Sequence, residues 1–262
     1  MALRYIACRV SYEGSYFHGS QLQQNALSVQ GALENAIEKV CCHPARIILA
    51  GRTDAGVHAL GQCFRFATKS TLPVERVPLA LNANLDKSVR VWEAREVDES
   101  FHPRFSALSR TYRYWIENAS PGNVLLAHIA ACCREPLDLV AMQQAAEQFV
   151  GRHDFVAFQS AGSPAPTTVR CVRRLQLRRI HDVLGSSLIE IEIEADAFLY
   201  RMVRNIVGTL MAVGNGSLVP SDVTTLMQSK DRQLCPPPAP SQGLCLVDVK
   251  YNWEEFQQNS EM

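Results

Sequence analysis

Alternation and helical periodicity divide the chain into short strands and amphipathic helices that recur in one order. Residues 3–12 read as a strand. Residues 28–42 read as a helix, with Ser28 as N-cap and Val29, Leu33, Ala36, Ile37 and Val40 along one face. Arg46-Ile47-Ile48-Leu49-Ala50 is a short buried strand. A strand over 60–67, a helix over about 74–83 and a strand over 88–98 complete a βαββαβ order, the ferredoxin-like split unit.

The second half repeats the scheme. Residues 110–117 predict a strand and 137–150 a helix closed by Gly151 as C-cap. Strands follow over 171–180 and 187–195. In the latter, Ile189, Ile191, Ile193 and Ala195 face one way and Glu190, Glu192, Glu194 and Asp196 the other. That alternation predicts a sheet with one covered and one wet side. A helix over 198–213 has Leu199, Met202, Val203, Ile206, Leu210 and Val213 as its apolar stripe. A short helix over 221–229 and a strand over 244–251 follow. The run Cys235-Pro236-Pro237-Pro238-Ala239-Pro240 reads as a stiff connection. The expectation is an α+β protein of two ferredoxin-like-type domains, 1–103 and 104–262, with antiparallel sheets and helices on one side.

Composition places the chain among globular proteins: 47% hydrophobic and 20% charged in 262 residues. No apolar run approaches a membrane span, and the N-terminus lacks a secretory h-region, so a soluble cytoplasmic protein is expected. The nine cysteines show no C-x-x-C or C-x-x-H spacing, so no zinc ribbon or thiol redox motif is indicated. Most of them read as small buried hydrophobes of a reducing compartment, and none stands out as a nucleophile.

The net charge of zero conceals an asymmetry. Residues 1–99 carry 11 basic and 10 acidic side chains, 100–179 carry 10 and 5, and 180–262 carry 5 and 11. Every basic residue of the middle segment is arginine, the side chain suited to phosphate forks and to stacking on bases. A solvated charged face would give the same bias.

The segment with the most chemistry is Ala50-Gly51-Arg52-Thr53-Asp54-Ala55-Gly56-Val57-His58-Ala59. Alone it reads as a glycine-rich turn between strands, with Asp54 in an Asx-turn and Arg52 in solvent. It is neither a P-loop nor a dinucleotide fingerprint, since both spacings are missing. The stretch resembles the catalytic signature of the tRNA pseudouridine synthase A (TruA) family. Further blocks are similar to that family in the same order: Ser11–Gly19, Ser28–Glu34, Phe101–Ala107, Arg110–Tyr114, Gly151–Phe155, Met202–Gly208 and Ala239–Leu246. The resemblance spans roughly the whole chain.

The resemblance implies a pseudouridine synthase fold and a defined reaction. Uridine at positions 38, 39 and 40 of the tRNA anticodon stem-loop is isomerised to pseudouridine, without cofactor or metal. It also implies a homodimer with tRNA lying across both subunits. Asp54 takes the place of the family's catalytic aspartate, Arg204 that of the arginine paired with it, and Tyr112 that of the tyrosine stacking on the uracil or moving the C5 proton. Arg52 would fill the vacated space or hold a flanking phosphate, and Arg110 and Arg170 would bind substrate. Each half then supplies an essential group.

Elementary chemistry agrees. Breaking a glycosidic bond requires a carboxylate that stabilises or captures positive charge at C1′. A carboxylate shielded from water stays ionised only beside a cation. On the 198–213 helix, Arg204 lies beside the apolar stripe. Alternation puts Tyr112 and Tyr114 on one strand face and does not separate them. His58 reads as structural. The chain departs from the commoner family wording at Phe198-Leu199-Tyr200-Arg201-Met202, where histidine or asparagine often fills a middle position, which bears on RNA contacts. Cys171-Val172-Arg173-Arg174 also departs, leaving an RNA-facing role for Arg173 open. Arginines 104, 110, 113, 152, 170, 173 and 174 are expected to include the phosphate-binding set. Two rivals remain: an RNA-binding protein that kept the fold without catalysis, and a glycosidase, which would need a second carboxylate that no matched block near Asp54 provides.

Overall fold

The computed structural model describes residues 3–162, 165–181 and 185–256. The chain forms two compact units, one of described residues up to Leu108 together with those from Leu246 onward, the other spanning Ser109–Cys245.

In the first unit, strand β1 (Arg4–Tyr12) pairs antiparallel with β3 (His58–Thr68) and with β4 (Val89–Val97). Strand β2 is only Ile48–Leu49 and pairs antiparallel with β3. The order β4-β1-β3-β2 is that of the split βαββαβ unit. Helix α1 (Val29–Cys41) starts at Ser28, whose Oγ accepts from the Gly31 N–H at 3.1 Å. It buries Val29, Leu33, Ala36 and Ile37, and stops where Cys42 turns left-handed. The predicted second helix is a 3-10 turn at Val74–Arg76 continued by α2 (Val77–Asn82), which packs against α1 and β4.

The strand at the C-terminal end of the chain, β10 (Leu244–Lys250), pairs with β3, so the chain's end belongs mainly to the first unit. An aromatic cluster explains this return. The fully buried Phe101 packs against Tyr251, Trp253 and Phe256, with ring centroids 5.1–5.3 Å apart. The Tyr251 hydroxyl donates to the Pro103 carbonyl at 2.7 Å.

In the second unit, β5 (Ser109–Asn118) pairs antiparallel with β9 (Ser187–Ala195), β9 with β8 (Val169–His181), and β8 with β7 (Gly151–Asp154). A short β6 (Ala131–Cys133) runs parallel to β5. Helix α3 (Leu139–Glu147) packs against β8 and α4 (Met202–Gly214), and α5 is Asp222–Ser229. The fold class is α+β with a mostly antiparallel strand arrangement, as expected.

Three local expectations are corrected. Gly151 does not cap α3, which ends at Glu147 with Gln148 as C-cap. Gly151 instead opens β7 at φ +112°, where the chain reverses and an L side chain would be strained. Helix α4 begins at Met202, not at 198, because Arg201 is left-handed (φ 58°, ψ 12°) and interrupts the helical path. The acidic side of β9 is not wet. Glu190 is 4% and Glu194 7% exposed.

Arginines on the flanking strands make that burial possible. Arg178 donates from Nε to Glu190 Oε1 at 2.8 Å, and Trp115 Nε1 donates to its other oxygen at 2.9 Å. Glu192 receives Arg113 Nε at 2.8 Å and lies 2.6 Å from Arg174 Nη2. Glu194 receives the Ser109 hydroxyl at 2.8 Å. The paired charges offset a desolvation that no lone carboxylate would survive. Arg113, Arg174 and Arg178 are therefore committed to carboxylates of their own sheet.

Candidate active site

The Asp54 loop hangs between β2 and β3, and its neighbours fix it. A β-turn closes from the Val57 N–H to the Asp54 carbonyl at 3.1 Å, with Gly56 at φ +78° as the turn requires. Thr53 is held on three sides. Its N–H donates to Ser20 Oγ at 2.8 Å, its carbonyl accepts from the Ser20 N–H at 3.0 Å, and its hydroxyl bonds the Tyr12 hydroxyl at 2.8 Å. Gln62 Nε2 anchors the loop's entrance by donating to the Gly51 carbonyl at 2.9 Å. Gly19, at φ +104°, lets the 14–20 segment lie against this backbone; a Cβ there would be 3.1 Å from the Thr53 oxygen.

Alternation along the loop does the rest. Thr53 is buried, so its neighbours turn outward: Arg52 is exposed and Asp54 half-exposed. The carboxylate thus sits on a pinned backbone. His58 is buried, with Nδ1 accepting from the Gly14 N–H at 3.0 Å.

The second unit carries Tyr112 and Arg204. The structure separates the two tyrosines that alternation left equivalent. Tyr114 is fully buried and donates its hydroxyl to the Pro240 carbonyl at 2.8 Å. Burial pushes its phenol well above the ordinary value, opposed by the nearby Arg204 guanidinium. Tyr112 is half-exposed, its ring perpendicular to that of Phe198 with centroids 5.1 Å apart.

Arg204 is clamped by the proline-rich segment. Its Nε donates to the Ala239 carbonyl at 2.8 Å, and the Ala239 N–H donates to the Arg204 carbonyl at 2.9 Å. Arg232 ties the same segment to α4, donating to the carbonyls of Cys235 and Pro236 and to Asn205 Oδ1. Arg110 donates from Nη1 to the Asp196 carbonyl at 2.7 Å, and Arg170 from Nη1 to the carbonyls of Thr167 and Val169.

The sequence reading gave no role to several supporting residues: Tyr12, Ser20, Gln62, Phe198 and Ala239. Gln62 left a weak signal, a polar residue between the apolar positions Leu60 and Cys63 of its strand. The carbonyl of Ala239 left none, because a backbone acceptor has no side-chain signature. Burial pushes the Cys63 thiol up to about 12, which keeps it protonated and inert. Among the described residues, no three or more His, Cys, Asp or Glu gather as a metal site would, and no helix is long and apolar enough to cross a membrane.

Residues 9–106 and 145–252 match a family model described as tRNA pseudouridine synthase. The chain belongs to that family. The tRNA pseudouridine synthase A of Acetivibrio thermocellus is 41% identical over 249 residues, which cover 95% of this chain and all of that relative. Its counterparts are 43% identical in Syntrophomonas wolfei (92% of this chain, 95% of the relative) and 38% in Coxiella burnetii (94% and 92%). The synthase is thus an isomerase. The family match takes in the Asp54 loop and the Arg204 helix, whereas Tyr112 falls between the two matched stretches.

Proposed function

We propose that the protein isomerises uridine to pseudouridine at positions 38, 39 and 40 of the tRNA anticodon stem-loop, with Asp54 as nucleophile. The observation that carries this reading is the half-exposed Asp54 on a loop whose preceding residue is bonded to Ser20 and Tyr12. The N1–C1′ bond breaks, the uracil turns, and C5 bonds to C1′; the C5 proton is lost and the freed N1 is protonated. An ionised carboxylate serves at either electrophilic carbon, C1′ or C6. The family resemblance assigns Arg204 to the catalytic aspartate, and Tyr112 to stacking on the uracil or moving the C5 proton. A uridine within a stem must first leave the stack, and Arg52 takes up the vacated space or a flanking phosphate. Arg110 and Arg170 bind the RNA.

The enzyme acts in the cytoplasm as a homodimer with tRNA across both subunits, an assembly that light scattering reads directly. Tritium release from tRNA labelled at uridine C5 tests the reaction. Release is expected from a transcript carrying uridine at 38, 39 or 40 and none when cytidine replaces all three. Tight binding without release would leave an RNA-binding protein.

The ion pairs of the second unit's sheet divide the expected RNA-binding arginines. Arg113 and Arg174 pair with Glu192, although Arg174 is exposed as Arg104, Arg152 and Arg173 are. Affinity for tRNA is expected to fall steeply with salt despite the zero net charge. Arg152→Ala or Arg173→Ala should lower the slope of log Kd against log salt by about one unit. Arg113→Ala should leave the slope unchanged and lower the urea midpoint instead. Filter binding across a salt series, alongside urea unfolding, measures both.

A further inference from the structure

The two residues that precede α4, Tyr200 and Arg201, stand apart from the packing around them. Their neighbours Leu199 and Met202 are buried, while Tyr200 is 39% exposed and Arg201 is exposed. The backbone is fastened: the Tyr200 carbonyl accepts from the Ser160 N–H at 3.1 Å, and the Arg201 carbonyl from the Asn205 N–H at 2.9 Å. The left-handed conformation of Arg201 takes this dipeptide out of the helix and turns its side chains outward. The Arg201 guanidinium then lies over the Tyr200 ring, 5.0 Å from its centroid.

This pair is also placed by its neighbours. Two residues before Tyr200, Phe198 packs on Tyr112; one helical turn after Arg201 come Arg204 and its Ala239 clamp. An aromatic ring backed by a guanidinium offers a flat stacking surface and a phosphate donor together, the combination by which proteins hold unstacked bases. Extruding a uridine from a stem leaves its neighbours partly unstacked.

We infer that Tyr200, backed by Arg201, is the stacking platform for a nucleobase next to the extruded uridine. This rests on the function proposed above. The pair holds the opened RNA and takes no part in bond breaking, so it governs KM and not kcat. It is a positioning device made by the two residues that precede α4.

Steady-state kinetics on a tRNA transcript test the inference, together with a stem-loop RNA carrying 2-aminopurine beside the target uridine. Tyr200→Leu is expected to raise KM about tenfold, with kcat within about twofold of the parent. It should also abolish the 2-aminopurine quenching that accompanies binding. Tyr200→Phe should restore both. Arg201→Asn, which suits the left-handed backbone, should raise KM about threefold and keep the thermal midpoint. It serves as the second test should Tyr200→Leu fold poorly. Wild-type KM and quenching in Tyr200→Leu, or a fall in kcat with KM unchanged, would overturn the platform while leaving the pseudouridine reading intact. Quenching that depends on Tyr200 in a parent protein forming no pseudouridine would keep the platform and remove the proposed reaction.

Discussion

Replacing Asp54 with asparagine is expected to lower pseudouridine formation by at least about four orders of magnitude while leaving the tRNA Kd within a few-fold. The asparagine side chain has nearly the same shape, and several bonds that hold the loop are made by other groups. The turn closes on the Asp54 backbone carbonyl, and Thr53 is held by Ser20 and Tyr12. The variant keeps these bonds and loses the negative oxygen. Binding rests on many phosphate contacts, whereas bond breaking rests on one group. Single-turnover tritium release with enzyme in excess, paired with filter binding, separates the two. Turnover above about 1% of the parent would remove Asp54 from the nucleophile role.

The second large effect is expected at Gly208, and here two physical arguments oppose each other. Helix propensity favours alanine over glycine by about 1 kcal/mol in a helix interior, so Gly208→Ala should stabilise α4 if nothing lay against it. The proline-rich segment does lie against it. A Cβ at Gly208 would sit 2.1 Å from the Pro237 carbonyl oxygen and 3.3 Å from the Ala239 nitrogen. Both are backbone atoms, and four prolines between 236 and 240 leave the segment little freedom to yield locally. The segment must move away as a block, and its two hydrogen bonds with Arg204 go with it. A net destabilisation of about 2–3 kcal/mol is expected, the overpacking cost exceeding the propensity gain. Turnover should fall as well, because Arg204 loses the carbonyl that aims it. Urea unfolding reads the first effect and single-turnover rates the second. A variant as stable as the parent with unchanged turnover would show that the segment does not support Arg204.

Much of this protein was legible in its sequence. The order β1-α1-β2-β3-α2-β4 follows from the switching of hydrophobic period between two and 3.6, because each element's own side chains decide whether a face can be covered. Ser28 as N-cap and Asp54 in a tight turn were equally legible, since capping and turn chemistry act within three or four residues. The family blocks supplied proposed roles for Asp54, Tyr112 and Arg204, which no periodicity carries.

What the tertiary structure alone decided depends on pairing between distant segments. Period-two alternation put Tyr112 and Tyr114 on one face; only the Pro240 carbonyl, 126 residues from Tyr114, distinguishes the buried tyrosine from the half-exposed one. The same alternation marked the acidic side of β9 without saying what lies beside it. Arg113 on β5 and Arg174 and Arg178 on β8 turned an expected wet face into a paired, mostly buried one. The return of the chain's end to the first unit rests on Phe101 meeting Tyr251, Trp253 and Phe256. A local pattern fixes which side chains share a face, because that depends on the backbone repeat. What covers the face depends on which remote strand or loop arrives there, and that is a property of the whole folded chain.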